Sequence, residues 1–132
     1  MGLSITLLRG DYTVCRLEPH QPVPDWAWTG EFVSLTRTGD ELSIVCDAKA
    51  VPDGVKLEAG WACLKLQGPF AFELTGILSR VLAPLHDAGV GIFAVSTFDT
   101  DYVLLKRVQL RAGVAALEAA GHTVVDFNTL EA

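Results

Sequence analysis

Residues with the chemistry to hold an amino acid occur in two stretches of the second half of the chain. The first stretch contains Gly68, Pro69, Thr75, Gly76 and Ile77, and it leads into an apolar pattern with helical spacing. A loop that enters a helix offers free backbone N–H groups and the positive end of the helix dipole, and both suit a carboxylate. This stretch could therefore bind the α-carboxylate of a ligand.

The second stretch runs from Val95 to Asp101 and includes Ser96, Thr97, Phe98 and Asp99. The backbone of an exposed strand around residues 95–97 could bind an α-amino group, and Asp99 or Asp101 could accept a charge-assisted hydrogen bond from a cationic ligand. Three residues of the first half are expected to complete the wall of the site, namely Ser34, Leu35 and Thr36. Together these groups are chemically sufficient for an amino acid.

The same residues also have a purely structural interpretation. Gly68 and Gly76 could serve backbone geometry alone, because glycine readily adopts conformations closed to other residues. Asp99 and Asp101 are of a type common in hairpin turns, and Ser96 could be an ordinary strand residue. Residue chemistry alone leaves both interpretations open.

Other kinds of site find little support in the sequence. His20, His86 and His122 are far apart and have no Cys, Asp or Glu at metal-ligand spacing, so we predict no metal site. No serine elbow, phosphate-binding loop or dinucleotide fingerprint occurs, and no nucleophile is placed beside a base. We therefore expect no cofactor and no enzymatic activity.

Composition narrows the range of partners. The chain has 132 residues, of which 50% are hydrophobic and 20% charged, and its net charge is −6. An acidic surface repels phosphate backbones, so nucleic acid is not expected as a partner. No apolar run reaches the roughly 18 to 20 residues of a membrane-spanning helix, and no secretion signal is recognised at the N-terminus. These features predict a cytoplasmic protein that does not bind membranes.

The second half has a regular order of predicted elements. Apolar residues from Leu74 to Leu85 fall on one helical face, although Pro84 should kink or shorten the last turn. A second helix is predicted over residues 108–120, and strands over 61–66, 91–97, 102–106 and 123–127. The resulting order, βαββαβ, is that of the ferredoxin-like α+β fold, with an antiparallel sheet and both helices on one face.

The first half repeats this order in a reduced form. Strands are predicted over 13–17, 31–36 and 41–46, and the last two should form an antiparallel hairpin. The proline-rich segment from Pro22 to Trp28 leaves room for one or two helical turns at most. Sliding the chain by 61 residues places Phe32 on Phe93 and Thr36 on Thr97, which suggests an internal duplication. Two domains are therefore predicted, residues 1–60 and 61–132.

The segment from Gly68 to Ile92 resembles the signature of ACT domains, with a glycine-bearing loop, a helix, Ala-Gly and an aliphatic strand. The segments Ile92 to Leu105 and Phe32 to Val45 are similar to the tandem ACT domains of CASTOR-type arginine sensors. This resemblance implies a pair of ACT domains without catalysis, which bind an amino acid at a domain interface and act allosterically. A protein partner could be a second copy or a regulated protein. The alternative function is a ligand-free dimerisation module.

Overall fold

The computed structural model describes residues 2–67 and 76–126. In these ranges the chain forms eight strands and two α-helices. In chain order they are β1 (Ser4–Leu7), β2 (Tyr12–Leu17), β3 (Ser34–Arg37), β4 (Leu42–Asp47), β5 (Lys56–Leu66), α1 (Ile77–Asp87), β6 (Ile92–Ser96), β7 (Asp101–Lys106), α2 (Leu110–Ala119) and β8 (Thr123–Asp126). The fold is of the predicted α+β, ferredoxin-like class.

The chain divides into two compact units. The N-terminal unit is Arg9–Trp61, and the C-terminal unit combines Met1–Leu8 with Ala62–Ala132. The first strand thus belongs with the second half of the sequence. The division into folding domains of residues 1–60 and 61–132 stays a prediction. Separate expression of the two segments would test it.

The C-terminal unit has the predicted βαββαβ order, with one strand added to its sheet. The strand order is β8-β1-β5-β7-β6. Strand β1 lies between β5 and β8, antiparallel to β5 (Ile5 opposite Leu66) and parallel to β8 (Ser4 opposite Thr123). Sequence analysis did not predict β1, although Ser4 to Leu7 alternate polar and apolar residues and bury Ile5 and Leu7 in the core.

The helices of this unit pack over a single hydrophobic core. Its buried members come from β1, β5, both helices, β7 and the turn between α1 and β6, and they include Ile5, Leu64, Val81, Leu85, Val90, Leu105 and Leu117. Helix α2 approaches this core most closely at Gly113, where an added Cβ would stand 2.9 Å from Leu105 Cδ1 and 3.3 Å from Leu85 Cδ2. A larger residue at Gly113 would therefore push α2 away from the core.

Helix α1 continues through Pro84 to Asp87, so the early end, one of the two effects predicted for Pro84, does not occur. Proline has no N–H, and the carbonyl of Arg80 therefore lacks its usual partner four residues later. His122 Nε2 fills this role at 2.9 Å from the Arg80 oxygen, while His122 Nδ1 accepts the N–H of Leu3 at 3.0 Å. One buried imidazole thus connects α1, the start of β1 and the turn before β8.

The N-terminal unit has the same order of strands with the helices reduced to single turns. Its strand order is β3-β4-β2, followed by the first part of β5. Asp25–Trp28 and Ala48–Ala50 are 3-10 turns in the positions of the two helices, and the first confirms the short element expected between Pro22 and Trp28. The core contains Cys15, Leu17, Ala27, Leu42, Ile44 and Cys46.

The two hairpins show the correspondence between the halves in detail. Thr38 N–H donates to Glu41 O at 2.9 Å, and Thr97 N–H donates to Thr100 O at 2.8 Å. The equivalent positions are therefore 59 residues apart, and the offset of 61 suggested by residue identities is wrong in this region. A 3-10 turn follows the second strand of each hairpin, at Ala48–Ala50 and Arg107–Gln109, with the same spacing.

Candidate functional site

The predicted site residues fall into three groups in the structure. Val95, Ser96, Thr97, Phe98, Asp99 and Asp101 lie together on the β6–β7 hairpin, and Gly76 and Ile77 lie at the start of α1 in the same unit. Ser34, Leu35 and Thr36 lie on β3 of the N-terminal unit. Gly68, Pro69 and Thr75 lie outside the described residues. The role of each as a ligand contact stays a prediction.

Side-chain bonds make the hairpin tip a defined structure. Thr97 Oγ1 donates to Thr100 O at 3.0 Å, and Thr97 Oγ1 accepts the N–H of Thr100 at 3.3 Å. Thr100 is buried, and its hydroxyl donates to Leu66 O at 2.6 Å. The tip is thereby tied to the end of β5, while the Phe98 side chain is 80% exposed.

The two carboxylates of the hairpin differ in their surroundings. Asp101 faces Ser96 across the ladder, and the Ser96 hydroxyl donates to Asp101 Oδ1 at 2.5 Å. Burial raises the pKa of Tyr102 above its usual value, and the charges of Cys63 and Asp99 add to this effect. The hairpin presents one carboxylate held by a neighbour and one on the exposed turn.

Among the described residues, none caps the start of α1 with a side chain. Gly76 has φ of +79° and provides no side-chain cap, and the first turn of α1 contains no acidic residue. Apart from Gly76 itself, its chain neighbours and the adjacent backbone of α1, the described residues place no heavy atom within 4 Å of the position of a Cβ on Gly76. The left-handed backbone explains why glycine is required, as the structural interpretation held. The uncapped N–H groups and open space are also what a carboxylate would need.

Two features of this unit were missed in the sequence. The first is Thr100, which anchors the hairpin. The sequence feature that could have revealed it is the spacing of Thr97 and Thr100, which repeats the spacing of Thr38 and Glu41. The second feature is a groove of about 430 Å³ between α2, β8 and β1, lined by Leu7, Leu110, Arg111, Val114, Ala115, Glu118, Val124 and Asp126. Its lining comes from both ends of the sequence, so no local motif could have revealed it.

The described residues contain no group of three or more His, Cys, Asp or Glu side chains arranged to hold a metal ion. Across the same residues, none of the helices has the length and apolar character required to span a membrane.

Comparison with known proteins agrees with this architecture. Residues 56–119 match the family model of the ACT domain, and residues 10–54 match a second family model, which is described as an N-terminal domain. The human protein named "Putative protein CASTOR3P" is 33% identical over 91 residues, which are 58% of this chain and 56% of that protein. The bovine "Cytosolic arginine sensor for mTORC1 subunit 1" is 30% identical over 98 residues, which are 66% of this chain and 30% of that protein.

The chain thus spans about half or less of the length of these curated relatives. Among solved structures, the protein Atu0741 from Agobacterium tumefaciens is 44% identical with a TM-score of 0.90, and the alignment covers 96% of this chain and 94% of that one. The ACT-domain match covers β5 to α2, and the similarity over nearly the whole of both chains shows that this chain belongs to one family with Atu0741.

Proposed function

We propose that the chain is a non-catalytic regulatory module that binds a free amino acid through its C-terminal unit. The observation that carries the proposal is an uncapped helix start at Gly76 in the same ACT unit as a hairpin with two carboxylates, Asp99 and Asp101. Both ends of an amino acid then have a chemical partner. The ligand's α-carboxylate would accept the N–H groups of the first turn of α1, where the helix dipole favours negative charge.

The positive groups of the ligand would bind at the hairpin. Asp99 is exposed and can reorient toward an amine, whereas Asp101 is fixed by Ser96 and offers its second carboxylate oxygen. The two carboxylates carry two negative charges, whereas an α-amino group carries only one positive charge. The pair therefore favours an amino acid whose side chain is also cationic. The contribution of Ser34 to Thr36, and the position of the ligand at a domain interface, stay predictions.

The relatives support the same ligand class. One of them is named a cytosolic arginine sensor, and this chain resembles 30% of its length. Arginine and lysine are therefore the first ligands to test, and a cytoplasmic location follows as part of the proposal. The regulated partner would be a protein or a second copy of the chain.

Thermal-shift measurements with the twenty amino acids, followed by calorimetric titration, test the proposal directly. A ligand that binds only the folded state raises the unfolding midpoint by mass action. We expect a rise with arginine or lysine and no turnover of either. If no amino acid raises the midpoint, the ligand-free dimerisation module becomes the better description.

Replacing Asp101 by Asn tests the role of the hairpin. Asn is isosteric and can still accept the Ser96 hydroxyl bond, so the hairpin should keep its structure. We expect a cationic ligand to bind more weakly by about 1.5 to 3 kcal/mol, the range for a hydrogen bond to a charged group. A neutral amino acid should bind as before. Asp53→Asn, an equal charge change at an exposed turn of the N-terminal unit, is the control.

Gly76 requires a substitution that its backbone tolerates. Gly76→Val would strain the helix start at φ of +79° whether or not a ligand binds there. Gly76→Asn is the better variant, because Asn adopts left-handed conformations and its side chain can occupy the open space. If ligand affinity stays unchanged in a folded Gly76→Asn variant, the start of α1 is not the carboxylate site.

A further inference from the structure

The outward face of α2 has an unusual composition. Opposite the buried Gly113 and Leu117, it exposes Arg111, Ala115 and Glu118, which follow one another at i, i+4 and i+7 and so lie on one side of the helix. This face borders the groove of about 430 Å³, whose apolar lining includes Leu7, Leu110, Val114 and Val124. The surface thus combines an apolar groove, a small residue at its centre and one charge of each sign.

The two charges oppose the dipole of their own helix. The first turn of α2 contains Arg111 and no acidic residue, and the last turn contains Glu118 and no basic residue. A helix is stabilised by the reverse arrangement, with acids at its N-terminus and bases at its C-terminus. Within the described part of the chain, neither side chain forms an ion pair that would compensate. Such a local conflict indicates that the compensating interaction lies outside the isolated unit.

A second copy of the same helix would resolve both conflicts. Arg111 and Glu118 are seven residues apart, about two helical turns, and Ala115 lies next to their midpoint. If two α2 helices lie antiparallel about a twofold axis beside Ala115, each Arg111 faces the partner copy's glutamate and the negative end of its helix. Each Glu118 then faces an arginine and a positive helix end. One surface is complementary to itself, as an isologous interface must be.

We infer that the Arg111–Ala115–Glu118 face of α2 is the surface through which two copies of this chain associate, with their α2 helices antiparallel. Ala115 allows the two helix backbones to approach, and the apolar groove beside it receives side chains of the partner copy. This inference is independent of the proposed ligand site, which involves α1 and the β6–β7 hairpin.

Charge reversal on the full chain provides the test, read by sedimentation equilibrium over a range of concentrations at low salt. We expect the unaltered chain to form a dimer. Arg111→Glu places two like-charged pairs in each dimer, and so does Glu118→Arg, so each should weaken dimerisation at least about tenfold in Kd. Arg80→Glu carries the same charge change as Arg111→Glu on the exposed surface of α1 and should have no effect.

Thermal unfolding distinguishes weaker dimerisation from a loss of folding. Both reversals place a charge in its favourable position relative to the dipole of α2, so the monomer should be at least as stable as before in thermal unfolding at high dilution.

Mixing the two variants gives the strictest outcome. In a dimer of one Arg111→Glu copy and one Glu118→Arg copy, both contacts again join opposite charges, so the mixture should dimerise although neither variant does so alone. The double variant R111E/E118R should also recover dimerisation. A monomeric unaltered chain, reversals that behave like Arg80→Glu, or a mixture that fails to associate would each overturn the inference.

Discussion

At the scale of single residues, the thiols of the N-terminal unit are the clearest case of chemistry controlled by packing. Cys15 and Cys46 are buried in one small core, and both thiols are free. Burial raises the pKa of Cys46 to about 11, and the neighbouring charges of Cys15 and Asp47 contribute in the same direction. Burial likewise raises the pKa of Cys15. Cys15 lies in β2 and Cys46 in β4, so the alternation of side chains along each strand places both thiols in the core.

This shift makes stability depend on alkaline pH. The unfolded thiol ionises near 9.0 and the folded Cys46 thiol near 11, so the unfolded state loses its proton first. The stabilising contribution is complete below pH 9 and is lost as the pH rises toward 11. We expect the free energy of unfolding to fall in this window, and to fall less in Cys46→Val, which has no ionisable group. Urea unfolding at pH 7, 9 and 10.5 measures the difference, and parallel curves for the two proteins would contradict the expectation.

At the scale of elements, long amphipathic patterns were predictable and contacts made across the sequence were not. The apolar spacing around Val81 and Leu85 gave α1, and turn residues gave both hairpins, because these signals lie within a few residues of one another. Strand β1 was missed because its partners lie on β5 and β8, far along the chain. The candidate site followed the same rule. Its hairpin was predicted from local turn residues, whereas the hydrogen bond from Thr100 to Leu66 was missed because it joins residues 34 positions apart.

The connection between Pro84 and His122 provides a prediction at this scale. His122→Ala leaves the Arg80 carbonyl and the Leu3 N–H without their partner, which should cost about 1 to 3 kcal/mol each where water cannot replace it. Pro84→Ala restores an N–H that can bond to Arg80 O within the helix. We therefore expect His122→Ala to cost less in a Pro84→Ala background than in the unaltered chain.

Denaturant unfolding of the four proteins in a double-mutant cycle measures this coupling. The control is His86→Ala, which removes an imidazole from the surface of α1, where 88% of the side chain is exposed. Strictly additive effects of the two substitutions would show that His122 does not compensate for the proline.

At the scale of the whole molecule, the C-terminal unit depends on a strand from the opposite end of the sequence. Residues 61–132 expressed alone lack β1, which separates β5 from β8 and contributes Ile5 and Leu7 to the core. We expect this fragment to show no cooperative unfolding transition as a monomer. Fusing residues 1–8 to residue 62 through a flexible linker should restore one. A cooperative transition in the fragment alone, seen by circular dichroism, would contradict the role given to β1.

The position of β1 also determines when the molecule can fold during synthesis. Strand β1 leaves the ribosome well before its partner β8, which begins at Thr123. All the residues of the N-terminal unit, Arg9–Trp61, have been synthesised much earlier. At a synthesis rate of roughly 5 to 20 residues per second, about 3 to 12 seconds pass between the addition of Trp61 and the addition of Thr123. During that interval β1 is a nascent strand with an open edge, and translational pausing before β8 would lengthen the time in which chaperones or aggregation could capture it.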